Sequence, residues 1–369
     1  MSDEAPRRLR SVHVVGTGLI GTSIGLVLSA AGIPVTLADS DEQRVARAAA
    51  MGAGRPGSET EPADLVVVAV PPASVAEVAA RQISADVART VTHVASVQAR
   101  PLLEIEALTG RSERFVGGHP IAGREQSGPD AAIAGLFRDR AWVLCPAPYT
   151  SDEAIADVEE LVALCKARAV RMAPSDHDEL LARLSHVPQL VASSLAASVA
   201  DLPTELVALA GSGLRDTTRL ADSDIQLWTE IISANPAAVG RALRDVAGAI
   251  GAVTTALDSG DRDGIDRAVA GLLARGQAGR AKLPGKHGQR AMTWATVSVV
   301  VPDRPGALAE LLADVARHDV NLEDLRVEHA PGHPEGAAEL AVAGEEQGRL
   351  VAALRADGWS VSIGADAAH

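Results

Sequence analysis

Short apolar runs separated by helical stretches fill the first half of the chain. The runs SVHVV at 11–15, PVTLAD at 34–39 and DLVVVAVPP at 64–72 do not alternate with polar residues, and THVAS, RFVGG and AWVLCP follow. A strand without alternation is buried on both faces, which is typical of a parallel sheet covered by helices. The pattern therefore predicts an α/β domain with a Rossmann-type parallel sheet over residues 1–173.

The periodicity changes twice in the rest of the chain. Residues 174–284 carry only helical patterns, the longest over 177–200 and 236–260, and they predict an all-helical domain. Residues 291–369 read strand, helix, strand, strand, helix, strand. That order predicts a C-terminal ferredoxin-like α+β domain.

Composition limits the classes of function. Aromatic residues make up only 2% of the chain, so cores of Ala, Val, Leu and Ile are expected. The formal net charge of −14 argues against a nucleic-acid-binding surface. Two cysteines, Cys145 and Cys165, are too few for a disulfide framework or a structural zinc site. No bound metal is expected. The polar N-terminus and the lack of long apolar runs predict a cytoplasmic protein without a membrane segment.

A glycine-rich turn, GTGLIG at 16–21, follows the first apolar run and opens a helix. Gly16 permits a tight turn, Gly18 lets the backbone approach a pyrophosphate, and Gly21 allows close packing of helix on sheet. Asp39, at the end of the second run, is placed to bind a ribose and to repel a 2′-phosphate, which favours NAD over NADP. The alternative is a tight turn that binds no nucleotide. The predicted cofactor-binding residues are Gly16, Thr17, Gly18, Leu19, Ile20, Gly21 and Asp39.

A histidine lies among glycines in the segment VGGHPIAG at 116–123. The fifth apolar run ends just before His119, and ligands of open α/β sheets bind at the carboxyl ends of the strands. A histidine beside a nicotinamide can take a hydroxyl proton while hydride leaves the adjacent carbon. Ser96, which ends the fourth run, is expected at the same edge, where it would orient His119. On position alone, a histidine that only caps a loop is an equal alternative.

Four motifs resemble those of the prephenate and arogenate dehydrogenases of tyrosine biosynthesis. They are GTGLIG at 16–21, GGHPIAGREQSG at 117–128, SHVP at 185–188 and LRDTTRLADSD at 214–224. The resemblance spans the sheet and the helical domain. It implies an enzyme that oxidatively decarboxylates a cyclohexadienol, with hydride passing to NAD, the hydroxyl proton drawn off and carbon dioxide released.

The resemblance also implies roles for individual residues. His119 matches the hydrogen-bond acceptor for the ring hydroxyl, and Ser96 matches the serine that helps hold this histidine and the nicotinamide. Arg219 matches the arginine that binds a substrate carboxylate, although its surroundings by themselves favour a surface ion pair with Asp216 or Asp222. The further substrate-binding residues implied are Ser185, His186, Gln189, Ser223 and Glu125.

Two positions depart from the family pattern. Many members have a second histidine three residues after the first, where this chain has Gln189, and a neutral amide cannot become cationic. The family serine is often followed two residues later by lysine, where this chain has Gln98. Glu125 is placed either to meet the ammonium of arogenate or to pair with Arg124, and both readings stay open.

The segment PDRPGALAEL at 302–311 resembles the ACT domain, a small-ligand module attached to many amino-acid enzymes. The resemblance implies that the backbone at Pro305 and Gly306 binds an amino-acid carboxylate, with Asn321 nearby at the start of the second strand. Tyrosine or phenylalanine is the expected effector. Such modules usually pair side by side, so a homodimer is expected. The alternative is a dimerisation unit without a ligand.

Prephenate dehydrogenase is the leading hypothesis, and arogenate dehydrogenase is its nearest alternative. A dehydrogenase of the β-hydroxyacid or imine-reductase type would place a catalytic lysine in the helical domain, where no lysine precedes Lys282. A non-catalytic sensor of nucleotide and amino acid would have no use for His119 together with Arg219.

Overall fold

The computed structural model describes residues 8–123, 126–283, 294–329 and 334–363. It contains two compact units, residues 1–247 and 248–369. The first unit holds a large sheet, its covering helices and part of the helical region, and the second holds the rest of the helical region and a small sheet. Among the described residues, no helix is both long and apolar enough to span a bilayer.

Eight strands form the large sheet: β1 (Val12–Val15), β2 (Val35–Ala38), β3 (Arg55–Pro56), β4 (Ala63–Val68), β5 (Ala88–His93), β6 (Phe115–Pro120), β7 (Ala141–Pro146) and β8 (Arg168–Arg171). The helices between them are α1 (Leu19–Ala30), α2 (Glu42–Ala50), α3 (Val75–Ser84), α4 (Ala99–Thr109) and α5 (Asp152–Leu164). The order across the sheet is β3-β2-β1-β4-β5-β6-β7-β8. The order of the first six strands is that of the Rossmann fold, so the predicted α/β architecture is confirmed.

The last two strands of the large sheet run against the others. The pairs from β3 to β6 are parallel, but β7 pairs antiparallel with β6, and β8 pairs in parallel with β7. A parallel return needs a long crossover, usually through a helix. The described part of the connection from β6 to β7 contains only turns, including a 3-10 turn at Pro129–Ala131, so β7 returns antiparallel.

Both faces of the large sheet are buried. On β4, Leu65 and Val67 pack into one core cluster and Val66 and Val68 pack into another, and all four are fully buried. Successive side chains of a strand point to opposite faces. Helices on both sides of the sheet therefore explain the apolar runs that do not alternate.

The described region after the large sheet is helical, as predicted. Its helices are α6 (Pro174–Leu181), α7 (Val187–Ala197), α8 (Thr204–Val207), α9 (Ser212–Thr218), α10 (Ile225–Ala234), α11 (Pro236–Ser259) and α12 (Arg262–Arg280). A π-helical turn at Ala182–His186 joins α6 to α7, and the N–H of Val187 donates to the carbonyl of Ala182. Pro188 follows at once and has no N–H to continue the regular pattern, which accounts for the widened turn.

The small sheet of the second unit has the predicted order of elements. They are β9 (Trp294–Pro302), α13 (Ala307–Arg317), β10 (Asp324–His329), β11 (Glu335–Ala343), α14 (Gln347–Ala356) and β12 (Val361–Ile363). The strands are antiparallel in the order β10-β11-β9-β12. Buried and partly exposed side chains alternate along β11. This alternation is typical of an antiparallel sheet whose core lies on one face.

Candidate active site

The glycine-rich turn lies at the carboxyl end of β1. Gly16 has φ +100°, and a Cβ there would lie 2.4 Å from the carbonyl oxygen of Ala69. A Cβ on Gly21 would lie 1.9 Å from the carbonyl oxygen of Gly16. By contrast, a Cβ on Gly18 would meet no atom of the described chain within 4 Å. The fold thus requires Gly16 and Gly21, whereas Gly18 leaves open space that a ligand can approach.

Asp39 directly follows β2 and binds the same turn. One carboxylate oxygen accepts from the N–H and the hydroxyl of Thr17, at 2.6 and 3.0 Å, and the other accepts from the N–H of Asp41 at 3.0 Å. Leu19 and Ile20 begin α1 and pack against the core. The predicted cofactor residues therefore lie together at the ends of β1 and β2.

The register of the large sheet brings His119 to the same edge as the glycine-rich turn. A row of paired residues crosses β1, β4, β5 and β6: Val15, Val68, His93 and Gly117. His119 lies just beyond this row on β6, and Gly16 lies just beyond it on β1. Three strand spacings, about 14 Å, separate the two strands. Dinucleotides bind across the strand ends of such sheets.

His119 is the first of three side chains that form a hydrogen-bonded chain. Its Nδ1 lies 2.9 Å from Nε2 of His177, and Nδ1 of His177 lies 2.8 Å from Oδ1 of Asp178. His177 and Asp178 belong to α6 and are buried, whereas His119 is partly exposed. With Nδ1 engaged, Nε2 is the nitrogen of His119 that is left for a ligand.

Asp178 also joins α6 to the N-terminus of α4. Its carboxylate oxygens accept from the backbone N–H groups of Gln98 and Ala99, each at 2.9 Å. The first N–H groups of a helix have no partner within it and favour an anion. Since the carboxylate is already the acceptor of these bonds, Nδ1 of His177 carries the hydrogen in the third.

Burial favours the neutral form of three histidines of this region, His93, His119 and His186. It lowers the pKa of His93 to about 3 and that of His186 to about 4. Burial, reinforced by His177, His93 and His186, lowers the pKa of His119 well below its usual value. A neutral imidazole with a lone pair is the form that accepts a proton.

The segment between β5 and α4 contacts the strand that carries His119. Ser96 lies in this segment and is partly buried. Among the described residues the ring of His119 is bonded to His177, the contact that was predicted for Ser96. Gln98, at the position of the family's lysine, donates from its amide to the carbonyls of Ala95 and Gly118, at 2.7 and 3.0 Å. It therefore fixes the strand immediately before His119.

Two of the predicted substrate residues line a cavity of about 380 Å³ in the helical region. Gln189 and Ser223 border it together with Trp228, whose ring lies 6.3 Å from that of His186. The amide N–H of Gln189 donates to the carbonyl of Leu220 at 2.7 Å, while its buried carbonyl oxygen has no partner among the described residues. The cavity wall thus contains a buried hydrogen-bond acceptor.

Arg219 and Ser185 are not among the described residues that line this cavity. Arg219 is exposed and begins a 3-10 turn at Arg219–Ala221. It directly precedes Leu220, whose carbonyl accepts from the amide of Gln189. Ser185 is partly buried in the π-helical turn. Glu125 lies outside the described residues. The proposed joint action of His119 and Arg219 therefore stays a prediction.

Three residues of the site carry no signal in the predicted motifs: His177, Asp178 and Asn235. Asn235 donates from Nδ2 to the backbone carbonyl of Asp178 at 2.8 Å and lies 3.5 Å from Nδ1 of His186. It thereby connects α6 to the π-helical turn that carries His186. The adjacent histidine and aspartate in α6 are the signal that would have pointed to them.

The doubly wound sheet, the glycine-rich turn and the histidine at the same edge define a dinucleotide-binding dehydrogenase with a helical region attached. Residues 24–171 match the nucleotide-binding domain of prephenate dehydrogenase, and residues 173–270 match its dimerization domain. The chain belongs to the prephenate dehydrogenase family.

Similar proteins are named prephenate dehydrogenase or arogenate dehydrogenase. A protein of Streptomyces niveus, "Probable prephenate dehydrogenase NovF", is 34% identical over 358 residues, which cover 95% of this chain and 99% of its own. The A. aeolicus prephenate dehydrogenase, solved with hydroxyphenyl propionate and NAD+, matches with a TM-score of 0.66 at 24% identity over 74% of this chain and 99% of its own. Synechocystis arogenate dehydrogenase matches with a TM-score of 0.63 at 25% identity and the same coverage. The two structures show that the fold is shared.

Proposed function

We propose that this chain is an NAD-dependent dehydrogenase that converts prephenate to 4-hydroxyphenylpyruvate. The observation that carries the proposal is one partly exposed imidazole, His119, tied through Nδ1 to a buried partner at the edge that holds the glycine-rich turn. The family supplies the substrate class, because its relatives are named for prephenate.

The turn and Asp39 fit NAD. The open space at Gly18 admits a pyrophosphate, and the N-terminus of α1 favours its negative charge. Asp39 beside the turn is placed for the adenosine ribose, and its charge opposes a 2′-phosphate. Bound NAD supplies the hydride acceptor of the reaction.

His119 and Ser96 then act on the cyclohexadienol ring. His119 accepts the hydroxyl proton on Nε2 while the hydrogen on the same ring carbon leaves as hydride. Carbon dioxide departs, and the ring becomes aromatic, which drives the reaction. Ser96, on the segment between β5 and α4, helps hold His119 and the nicotinamide.

We infer that the helical region binds the remainder of the substrate. Arg219 offers a planar fork of donors that suits a carboxylate. Gln189 and Ser223 line the cavity, and Trp228 connects this wall to His186. The residues assigned to the substrate are Arg219, His186, Ser185, Gln189, Ser223 and Glu125.

One observation favours arogenate as a second substrate. Gln189 borders the cavity, and because its amide N–H is bonded to Leu220, its buried carbonyl oxygen is left without a partner among the described residues. The ammonium of arogenate is a hydrogen-bond donor that can satisfy this oxygen, whereas the ketone of prephenate is only an acceptor. The ratio of kcat/KM for the two substrates measures this preference.

Steady-state kinetics with prephenate and arogenate, each with NAD and NADP, test the proposal. We expect turnover of prephenate with NAD. In His119→Asn, kcat should fall by about 10²- to 10⁴-fold because the proton acceptor is lost, while the Kd for NAD stays the same. Undiminished activity of that variant would remove His119 from the mechanism, and failure of the wild type to oxidise either compound would refute the substrate class.

We infer that the small sheet of the second unit is an ACT-like regulatory domain. Its βαββαβ order supports this assignment. A cavity of about 490 Å³ is lined by Trp359, by Arg304, which pairs with Glu310, and by further carboxylates such as that of Asp314. Asn321 precedes β10 and donates to Glu323 at 2.7 Å. Tyrosine or phenylalanine should shift activity or thermal stability when titrated, and no shift with either would favour a unit that binds no effector.

We infer that the enzyme is a homodimer. The helical region matches the family's dimerization domain. Two large apolar side chains of this region, Leu209 and Ile225, are 82% and 84% exposed. A second copy of the chain, docked on the helical region, would cover such side chains.

A further inference from the structure

His177 and Asp178 extend the hydrogen-bonded chain from His119 into α6, and the proposed mechanism gives them no role. Their hydrogen bonds fix the positions of the hydrogens. Asp178 is an acceptor, so Nδ1 of His177 carries a hydrogen, and an imidazole with its hydrogen on Nδ1 has a lone pair on Nε2. That lone pair lies 2.9 Å from Nδ1 of His119. Nδ1 of His119 therefore carries the hydrogen, and its Nε2 has the lone pair.

We propose that His177, held by Asp178, is a positioning residue that keeps His119 in the tautomer with a lone pair on Nε2 and stabilises the charge that His119 gains with a proton. This inference rests on the proposed function of His119. When the substrate proton reaches Nε2, the hydrogen on Nδ1 points to His177, and the hydrogen of His177 points to the carboxylate. Hydrogen bonds from charged donors are stronger than neutral ones.

The environment of His119 makes such support necessary. A buried imidazolium is costly, and burial lowers the pKa of His119. The titratable groups around it are His93 on β5, His177 and Asp178 on α6, and His186 in the π-helical turn. Among these groups only Asp178 is an anion, and it reaches His119 through His177. A carboxylate that orients a histidine base and stabilises its imidazolium is a known arrangement in hydrolases.

A purely structural role would not need the imidazole. Asp178 accepts from the first N–H groups of α4 whether or not His177 is present. The ring of His177 is fully buried, and its Nε2 contacts Nδ1 of His119. This makes the contact separable from the helix cap by substitution.

Two variants separate the contacts of His177. In His177→Asn, the amide N–H lies near the position of Nδ1 and keeps the bond to Asp178, but the acceptor for His119 is lost. In His177→Gln, the side-chain carbonyl lies near the position of Nε2 and restores that acceptor. We expect kcat to fall about 100-fold in His177→Asn, with the KM values for prephenate and for NAD unchanged. In His177→Gln, kcat should recover in large part.

The pH profile adds a readout that a structural role would not move. In His177→Asn, protonated His119 loses the acceptor for its Nδ1 hydrogen, so protonation becomes less favourable. The acidic limb of kcat/KM should move to lower pH. Full activity of His177→Asn, or equal losses in both variants with an unmoved acidic limb, would overturn the proposal.

Nitrogen NMR of histidine-labelled wild type tests the tautomer without any turnover. The spectrum should show hydrogen on Nδ1 of His119, assigned by comparison with His119→Asn, and hydrogen on Nε2 would overturn the proposal. If neither cyclohexadienol is oxidised but the tautomer is as expected, the proposed substrate fails and the positioning by His177 stands. If turnover depends on His119 but the tautomer is reversed, the positioning fails and the proposed function stands.

Discussion

Each end of the large sheet has a buried carboxylate, and the two carboxylates have different kinds of hydrogen-bond donors. At the amino end, Asp157 of α5 accepts from the guanidinium groups of Arg8 and Arg89 and from the hydroxyl of Thr90, at 2.8 to 3.0 Å. At the carboxyl end, Asp178 accepts from two backbone N–H groups and from a histidine. Both carboxylates are buried.

The donors decide what each carboxylate can do. Arginine is always charged, so the charge of Asp157 is compensated permanently and serves the fold. Asp178 is bonded to backbone N–H groups and to a titratable imidazole, so no permanent cation cancels its charge. That charge can therefore stabilise a proton that His119 accepts. A buried carboxylate at the functional end of a sheet thus differs from a structural one in its partners more than in its burial.

The largest effect is expected at the amino end. Asp157→Asn leaves two guanidinium groups without their buried anion and should lower the free energy of unfolding by about 3 kcal/mol. Urea denaturation measures this change. Glu159→Gln on the same helix is the control, because its pair with Arg171 is half-exposed and should cost less than about 1 kcal/mol. Equal losses in both variants would erase the distinction between a buried and a surface pair.

Acid should destabilise the carboxyl end first. The unfolded chain protonates its histidines near pH 6.5, whereas burial lowers the pKa of His93 to about 3 and that of His186 to about 4 in the folded protein. The unfolded state therefore binds more protons in this window, and stability falls as pH decreases from about 6.5 to 4, by about 1.4 kcal/mol per pH unit for each such histidine. Urea midpoints across this range measure the loss.

Asp157 should act only at lower pH. Burial, its largest single influence, raises the pKa of Asp157, but bonds from Arg89, Thr90 and Arg8 together outweigh it and the pKa is lowered. The stabilisation by Asp157 is present above the unfolded pKa of about 3.9 and is lost as pH falls through the folded pKa.

The variant His93→Asn tests the contribution of the histidines. Its side-chain oxygen can replace Nδ1 as acceptor for the N–H of Ala95, and it should reduce the slope of stability against pH above pH 4. A constant stability from pH 6.5 to 4 would contradict this order of events.

Local patterns were enough to predict most of the fold. The unalternating runs of β1, β2 and β4 predicted a covered parallel sheet, because burial on both faces leaves its mark in each strand. The direction of β7 could not be predicted in this way. Its run AWVLCP is as apolar as the others, and only the connection after β6, whose described part holds turns and no α-helix, reverses it.

In the candidate site, too, the features with a local sequence pattern could be predicted and the long-range contacts could not. Gly16, Gly18 and Gly21 lie within six residues, so their spacing in the sequence already describes the turn. His177 is 58 residues from His119, and no local period connects them. Their contact depends on how α6 packs beside the strand ends, which a single sequence does not encode in any nearby motif.

The smallest expected effect separates binding from stability at the carboxyl end. In Gly18→Ala, the new methyl group meets no atom of the described chain within 4 Å, so the free energy of unfolding should change little. The same methyl enters the space proposed for the pyrophosphate and should cost about 1–2 kcal/mol of NAD affinity, or about tenfold in Kd. Calorimetric titration with NAD measures it. Gly135→Ala has the same clearance away from the turn and should bind NAD normally. If both variants bind NAD as the wild type does, the open space at Gly18 is not where the cofactor approaches, and the carboxyl end loses the feature that most distinguishes it from the amino end.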